Sequence, residues 1–146
     1  EKLYHGALVR ALTYGIFMQE DLYMAANWSQ VDADTFTFQV QKLLGNYDGN
    51  GARVQGDFLR SSATSKELSS FVVRDGRRQT VLLVNRSLSQ TIHVKVAQPD
   101  GFVRAKRYVI IESAGTRIVT LPVTIKDRKA ETTLPPFSVT LLVQDE

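Results

Sequence analysis

The feature that most constrains the fold of this chain is a series of short apolar segments between residue 49 and residue 146. Strand-like segments recur at about 53–60, 67–74, 79–85, 90–97, 103–112, 116–121, 123–126, 130–134 and 137–144. In the clearest of them Ile92, Val94 and Val96 alternate with polar residues and are expected to face inward. Because turn residues separate strands at intervals of roughly 8 to 12 residues, the pattern predicts an antiparallel β-sandwich.

The first helical segment, Leu3–Gln19, is apolar on nearly all sides, which is typical of a buried helix. Gly15 lowers helix stability by roughly 1 kcal/mol relative to alanine, so we expect a close contact there. One predicted face holds Leu3, Ala7, Leu8, Ala11, Leu12, Gly15 and Ile16, and the other side carries Val9, Tyr14, Phe17 and Met18.

Two further elements follow before residue 48. Residues 22–28 form an apolar run without alternation, the pattern of a parallel strand covered on both faces. Phe36–Leu44 then predicts a helix with Asp34 or Thr35 as its N-cap. Helix, buried strand and helix make one and a half units of an α/β repeat, and three such elements cannot close a core alone.

We therefore predict two parts, residues 1–48 and residues 49–146, and from the strand pattern we expect the second part to fold by itself. The composition, 43% hydrophobic and 23% charged, is that of an ordinary globular protein. A net charge of +3 is too small to imply a nucleic-acid partner, and no apolar run reaches the ~18 residues of a membrane span. Without cysteine there is no disulfide or thiolate metal site, although bacterial secreted enzymes often lack cysteine too.

Four segments together resemble the C-terminal part of clan A glycoside hydrolases, most closely family 44 endoglucanases and xyloglucanases, with family 51 arabinofuranosidases as near relatives. Residues 6–12 leading into 24–28 are similar to the seventh helix and eighth strand of their (β/α)8 barrel. The other three segments resemble the junction from barrel to β-lobe (46–51), a strand and turn of the lobe (81–87) and its closing strand (134–142). The resemblance implies a mainly β fold, an antiparallel β-sandwich preceded by the last helix–strand–helix of a truncated (β/α)8 barrel.

The resemblance also implies a carbohydrate-active parent enzyme without making this chain active. Retaining glycosidases need two carboxyl groups roughly 5–5.5 Å apart. In the family these end the fourth and seventh barrel strands, and no residue of this chain aligns with either. We expect a non-catalytic part that is inactive alone, needs no cofactor or metal, and whose β-lobe packs on and stabilises the barrel.

The expected partners are then the remaining barrel, with self-association through residues 1–28 where the barrel is absent. Polysaccharide is expected to bind weakly if at all, and nucleic acid and membrane are not expected partners. The alternative is a free-standing carbohydrate-binding module. From residue 50 onward the chain has no Trp, one Tyr (Tyr108) and four Phe, which disfavours an aromatic sugar-binding platform.

The first candidate substrate-binding residues are Asn27 and Trp28, at the C-terminal end of the predicted strand, where barrel active sites lie. In a complete enzyme the Trp28 ring would stack on a sugar and the Asn27 amide would bond a hydroxyl.

Other candidates have simpler interpretations. The carboxylates of Asp32 and Asp34 suit a solvated loop or a helix cap, and residues 48–51 suit a tight turn better than half a calcium loop. His93 is expected on the outward face of its strand and His5 near a helix start, neither in a metal site or triad. Three basic clusters are expected in solvated loops, around residues 77–78, 104–107 and 126–129.

Overall fold

The computed structural model describes residues 3–22 and 31–146. Both predicted helices and all nine predicted strands are present. The helices are α1 (His5–Gln19) and α2 (Phe36–Gly45). The strands are β1 (Asp57–Leu59), β2 (Leu68–Asp75), β3 (Arg78–Asn85), β4 (Ile92–Ala97), β5 (Arg104–Ile110), β6 (Val119–Leu121), β7 (Thr124–Lys126), β8 (Lys129–Leu134) and β9 (Ser138–Asp145), with a 3-10 turn at Glu112–Ala114. The predicted parallel strand spans residues 22–28, of which 23–28 lie outside the described part.

The strands form two antiparallel sheets, as the spacing predicts. The larger sheet has the order β1-β2-β3-β9-β5-β6 and the smaller one the order β4-β8-β7. Strand β9 lies between β3 and β5, and its pairing with β3 runs from Arg78 opposite Asp145 to Asn85 opposite Ser138. The closing segment of the chain is therefore the centre of the large sheet.

The large sheet is the middle of three layers, because its two faces belong to two different apolar cores. Leu82 and Val84 of β3 face the helices, whereas Val81 and Leu83 face the small sheet. The helix-side core joins Tyr4, Ala7, Leu8, Ala11, Phe36, Val40, Leu43 and Tyr47 to Phe71, Leu82, Val84, Tyr108, Ile110, Val139, Leu141 and Val143. The second core joins Val81, Leu83 and Leu142 to Val94, Ala130 and Leu134. Ile92 and Val96 pack against it, so the predicted inward face of β4 is confirmed.

Helix α2 begins where the sequence places it. The Thr35 side chain accepts a hydrogen bond from the Phe38 amide at 3.2 Å and so caps the helix. Phe36, Val40 and Leu43 are buried along one stripe, while Leu44 is only partly covered.

Helix α1 differs from the prediction of a helix buried all round. Ala7 and Ala11 are fully buried against the sheet, but Val9 and Ile16 are 63% and 51% exposed. The prediction is wrong for the described residues because they cover only one side of this helix. Its first turn is fixed by the Tyr4 hydroxyl, which donates to the Ile110 carbonyl at 2.7 Å.

The helix-side core takes side chains from both sides of residue 48. The division into residues 1–48 and 49–146 stays a prediction. Within the described ranges, no helix has the length and apolar character to cross a membrane.

Candidate functional site

The predicted sugar-contacting residues, Asn27 and Trp28, lie outside the described residues and stay a prediction. The chain leaves the described part at Leu22, which is 49% exposed just beyond α1. Leu22, Phe17 and Met18 line one wall of a groove of about 540 Å³, and residues 54–58 form the other. Its lining mixes apolar side chains with polar ones, and Asp21 and Asp57 are the acidic residues among them.

The loop before α2 holds two acidic residues. Asp32 and Asp34 are both exposed. The Asp32 carbonyl accepts hydrogen bonds from the Thr35 hydroxyl at 2.7 Å and from its amide at 3.2 Å. The exposure of both residues agrees with the expected solvated loop, whereas the N-cap of α2 is Thr35.

Residues 48–51 form the expected tight turn. The Asp48 carboxylate accepts from the amides of Asn50 at 2.8 Å and Ala52 at 3.1 Å. Gly49 and Gly51 have φ of 79° and 93°, the left-handed region that glycine adopts without strain. The backbone hydrogen bond from Asn50 is the main reason that the pKa of Asp48 is lowered. The carboxylate is thus occupied within its own turn.

The two histidines lie as predicted. His5 opens α1, and its ring packs edge-on against Phe137 at 5.2 Å between centroids. His93 is exposed on β4. Among residues 3–22 and 31–146, no three His, Asp or Glu side chains are grouped so that they could hold a metal ion.

The prediction that the basic clusters lie in solvated loops is wrong for the cluster from Arg104 to Arg107, which is the first half of β5. The other two clusters surround the turns that join β2 to β3 and β7 to β8. Arg107 is only 6% exposed. The period of two that places Ala105 and Val109 toward the small sheet could have placed Arg107 there too, but its charge suggested a loop.

Two surfaces of the described residues stand out. The first is the outer face of α1, defined here as Val9 and Ile16, which are seven residues apart and so share one side of the helix. The second is a groove of about 450 Å³ beside the small sheet, into which Arg107 opens. No aromatic side chain of the described residues is among the exposed large apolar ones.

Solved structures of other proteins share this arrangement of helices and sheets. A bifunctional glucanase–xylanase from a metagenome library superposes with a TM-score of 0.86 at 30% identity, over 99% of this chain and 29% of that chain. A family 44 xyloglucanase from Paenibacillus polymyxa gives 0.85 at 18% identity, over 98% and 29%. A family 44 endoglucanase from Clostridium thermocellum gives 0.85 at 20% identity, over 97% and 29%.

The chain has the fold of the C-terminal part of a family 44 glycoside hydrolase. The resemblance seen in its sequence is confirmed, although no protein-family model matches and a search of the curated proteins gives no match either. The chain spans about 30% of the length of these glycoside hydrolases. Each of these glycoside hydrolases is more than three times as long as the stretch that this chain matches.

Proposed function

We propose that this chain is the non-catalytic C-terminal portion of a polysaccharide-degrading glycoside hydrolase, whose β-sandwich packs on the catalytic barrel and stabilises it. The structural likeness, at about 30% of the relatives' length, supports an origin in such an enzyme. The proposal further assigns the two helices to the barrel wall and residues 49–146 to the supporting lobe.

The two-sided character of α1 carries the proposal. One side of the helix is closed by the sandwich, with Ala7 and Ala11 at 0% exposure. The opposite side exposes Val9 and Ile16, and Leu3 before the helix is 73% exposed. Apolar side chains grouped on one surface favour a partner that covers them. A barrel continuing beyond α1 would cover this side while the sandwich covers the other.

The absence of catalysis in the chain alone is tested directly. The purified chain is incubated with xyloglucan, cellulose and arabinoxylan, and released reducing ends are measured. We expect no release, because the resemblance places both catalytic carboxylates on barrel strands that this chain does not match. Turnover that co-purifies with the chain through successive columns would overturn the proposal. Retardation of the chain in a xyloglucan gel would favour the carbohydrate-binding module instead.

The partner of the outer face of α1 is tested by the state of association. Without a barrel, we expect the chain to self-associate through residues 1–28, and the double variant Val9→Lys, Ile16→Lys to shift toward monomer in light scattering. Leu88→Lys is the matched control, since Leu88 is 76% exposed and lies outside α1. If the unsubstituted chain is monomeric at all concentrations, the proposed self-association is contradicted.

A further inference from the structure

Arg107 is a buried cation without an acidic partner among the described residues. Its guanidinium donates through Nη1 to the Thr133 carbonyl, and Nε has no hydrogen-bond partner there. No ion pair joins Arg107 to any Asp or Glu in residues 3–22 and 31–146. Arginine is seldom fully buried unless it is paired, because an uncompensated buried charge is strongly destabilising.

The neighbours of Arg107 in the described part of the chain leave its charge without an acidic partner. It lines the groove of about 450 Å³ together with His93 and Lys95 of β4 and Glu131 of β8. Glu131 forms an ion pair with Lys95, whose Nζ lies 3.1 Å from its carboxylate. Burial alone lowers the pKa of Arg107, with no contribution from a neighbouring carboxylate. The groove thus offers unused donors around a desolvated positive charge.

We propose that this groove binds a small carboxylate-bearing ligand whose carboxylate pairs with Arg107. A guanidinium presents its donors in a planar fork that matches a carboxylate. His93 and Lys95 lie on the groove wall, and Thr124 and Thr133 add hydroxyls for the rest of the ligand. A volume of about 450 Å³ is within the range of pockets that hold small molecules, roughly 300–1,000 Å³. This proposed ligand site does not depend on the proposal that the chain derives from a glycosidase.

The test is an NMR titration of the ¹⁵N-labelled chain with three probes. D-glucuronate and acetate both carry a carboxylate, whereas D-glucose is neutral. We expect saturable shifts of the Arg107 Nε–H and of β5 and β8 amides with both carboxylates, and none with glucose. Tighter binding of glucuronate identifies an acidic sugar as the ligand, and equal binding identifies the carboxylate alone as the recognised group.

Two variants and one control make the result specific. Arg107→Gln is expected to weaken binding about tenfold or more, because a charge-assisted pair is lost. His93→Glu places a competing carboxylate in the groove from an exposed position, so it tests the site even if Arg107→Gln does not fold. Lys126→Gln, an exposed change outside the groove, is expected to leave binding unchanged. The absence of saturable shifts with either carboxylate, equal binding of glucose, or shifts that survive both groove variants would overturn the site.

Discussion

Gly15 of α1 lies directly against the ring of Phe71 in β2. A Cβ added at residue 15 would come within 2.3 Å of the Phe71 Cε2 atom and 2.4 Å of its Cδ2 atom. Phe71 is 7% exposed and belongs to the helix-side core. The close packing expected at this glycine is therefore real, and its partner is the sheet. Helix and sheet approach so closely here that only a residue without a side chain fits.

Gly15→Ala is expected to destabilise the protein although alanine favours helix formation. Overpacking costs about 1–3 kcal/mol, and because a 2.3 Å approach is severe, the upper part of that range applies and exceeds the roughly 1 kcal/mol gained in helix propensity. Urea unfolding followed by circular dichroism measures the change. Gly45→Ala is the control, since a Cβ at this last residue of α2 meets nothing within 4 Å. A Gly15→Ala protein as stable as the Gly45→Ala protein would show that the ring moves aside at no cost.

Stability is expected to fall steeply under alkaline conditions because three tyrosines of the helix-side core are buried. Desolvation by burial, and then the charge of Glu112, raise the pKa of Tyr4 well above its usual range. Burial also raises the pKa of Tyr47 and of Tyr108. Since an unfolded tyrosine ionises near pH 10, their contribution is complete below about pH 10 and is lost as the pH rises toward the folded values.

Tyr4→Phe separates the two roles of this residue. At neutral pH the variant should lose about 1–2 kcal/mol, because the buried Ile110 carbonyl loses its donor. Above about pH 10 its stability should decline less steeply than that of the parent. Unfolding free energies from pH 7 to pH 11 provide the measurement. Parallel curves for the two proteins would contradict the assignment to Tyr4.

Asn85→Asp is expected to be strongly destabilising, by about 3–5 kcal/mol at neutral pH. The Asn85 side chain is fully buried, and the two hydrogens of its Nδ2 are shared among three carbonyls, those of Gln90 at 2.9 Å, Leu134 at 3.3 Å and Pro135 at 2.8 Å. A carboxylate would face these oxygens without a proton to share. Thermal unfolding is compared with Asn50→Asp, an exposed turn position where the change should stay within about 0.5 kcal/mol. Equal losses in the two variants would refute the buried role.

The helix layer changes the expectation for residues 49–146 as a separate polypeptide. Without α1 and α2, the sheet face that carries Phe71, Leu82 and Leu141 would be exposed to water. We now expect this shorter polypeptide to aggregate, or to unfold without cooperativity, whereas the whole chain unfolds in one transition. Size-exclusion chromatography and urea unfolding of the shorter polypeptide and of the whole chain test this expectation. A cooperative transition of the shorter polypeptide at the midpoint of the whole chain would restore the expectation drawn from the strand pattern.

The strands were predictable because their signals are local. Alternation at Ile92, Val94 and Val96, and turns between the segments, depend only on neighbouring residues. The buried side of α1 was harder, because a helix that is apolar all round carries little directional information. The pattern predicts Leu3 and Ile16 on the same face as Ala7 and Ala11, yet both are exposed. Tyr4 could not be foreseen, since its acceptor Ile110 lies 106 residues along the chain.

Among the candidate functional residues too, some could be predicted from neighbouring residues and others could not. The Asp48 turn followed from the order of Asp, Gly and Asn in the sequence, and the structure agrees. Alternation along β5 predicts the side of the strand on which Arg107 lies, but its burial depends on how the two sheets meet around β5, which no local pattern reports. A charged residue at a strand position is exposed or buried according to tertiary contacts that offset the cost of desolvation. Asn27 and Trp28 stay predictions.

The proposal that this chain is a stabilising lobe is tested most directly in the metagenomic glucanase–xylanase that is 30% identical to it. Its matching stretch is either deleted or replaced by this chain, and hydrolytic activity and Tm are measured. We predict that the deletion abolishes both activity and a cooperative transition, and that replacement restores them unless the outer face of α1 carries Val9→Lys and Ile16→Lys. An enzyme that keeps its activity and Tm after this stretch is deleted would contradict the proposal of a stabilising lobe.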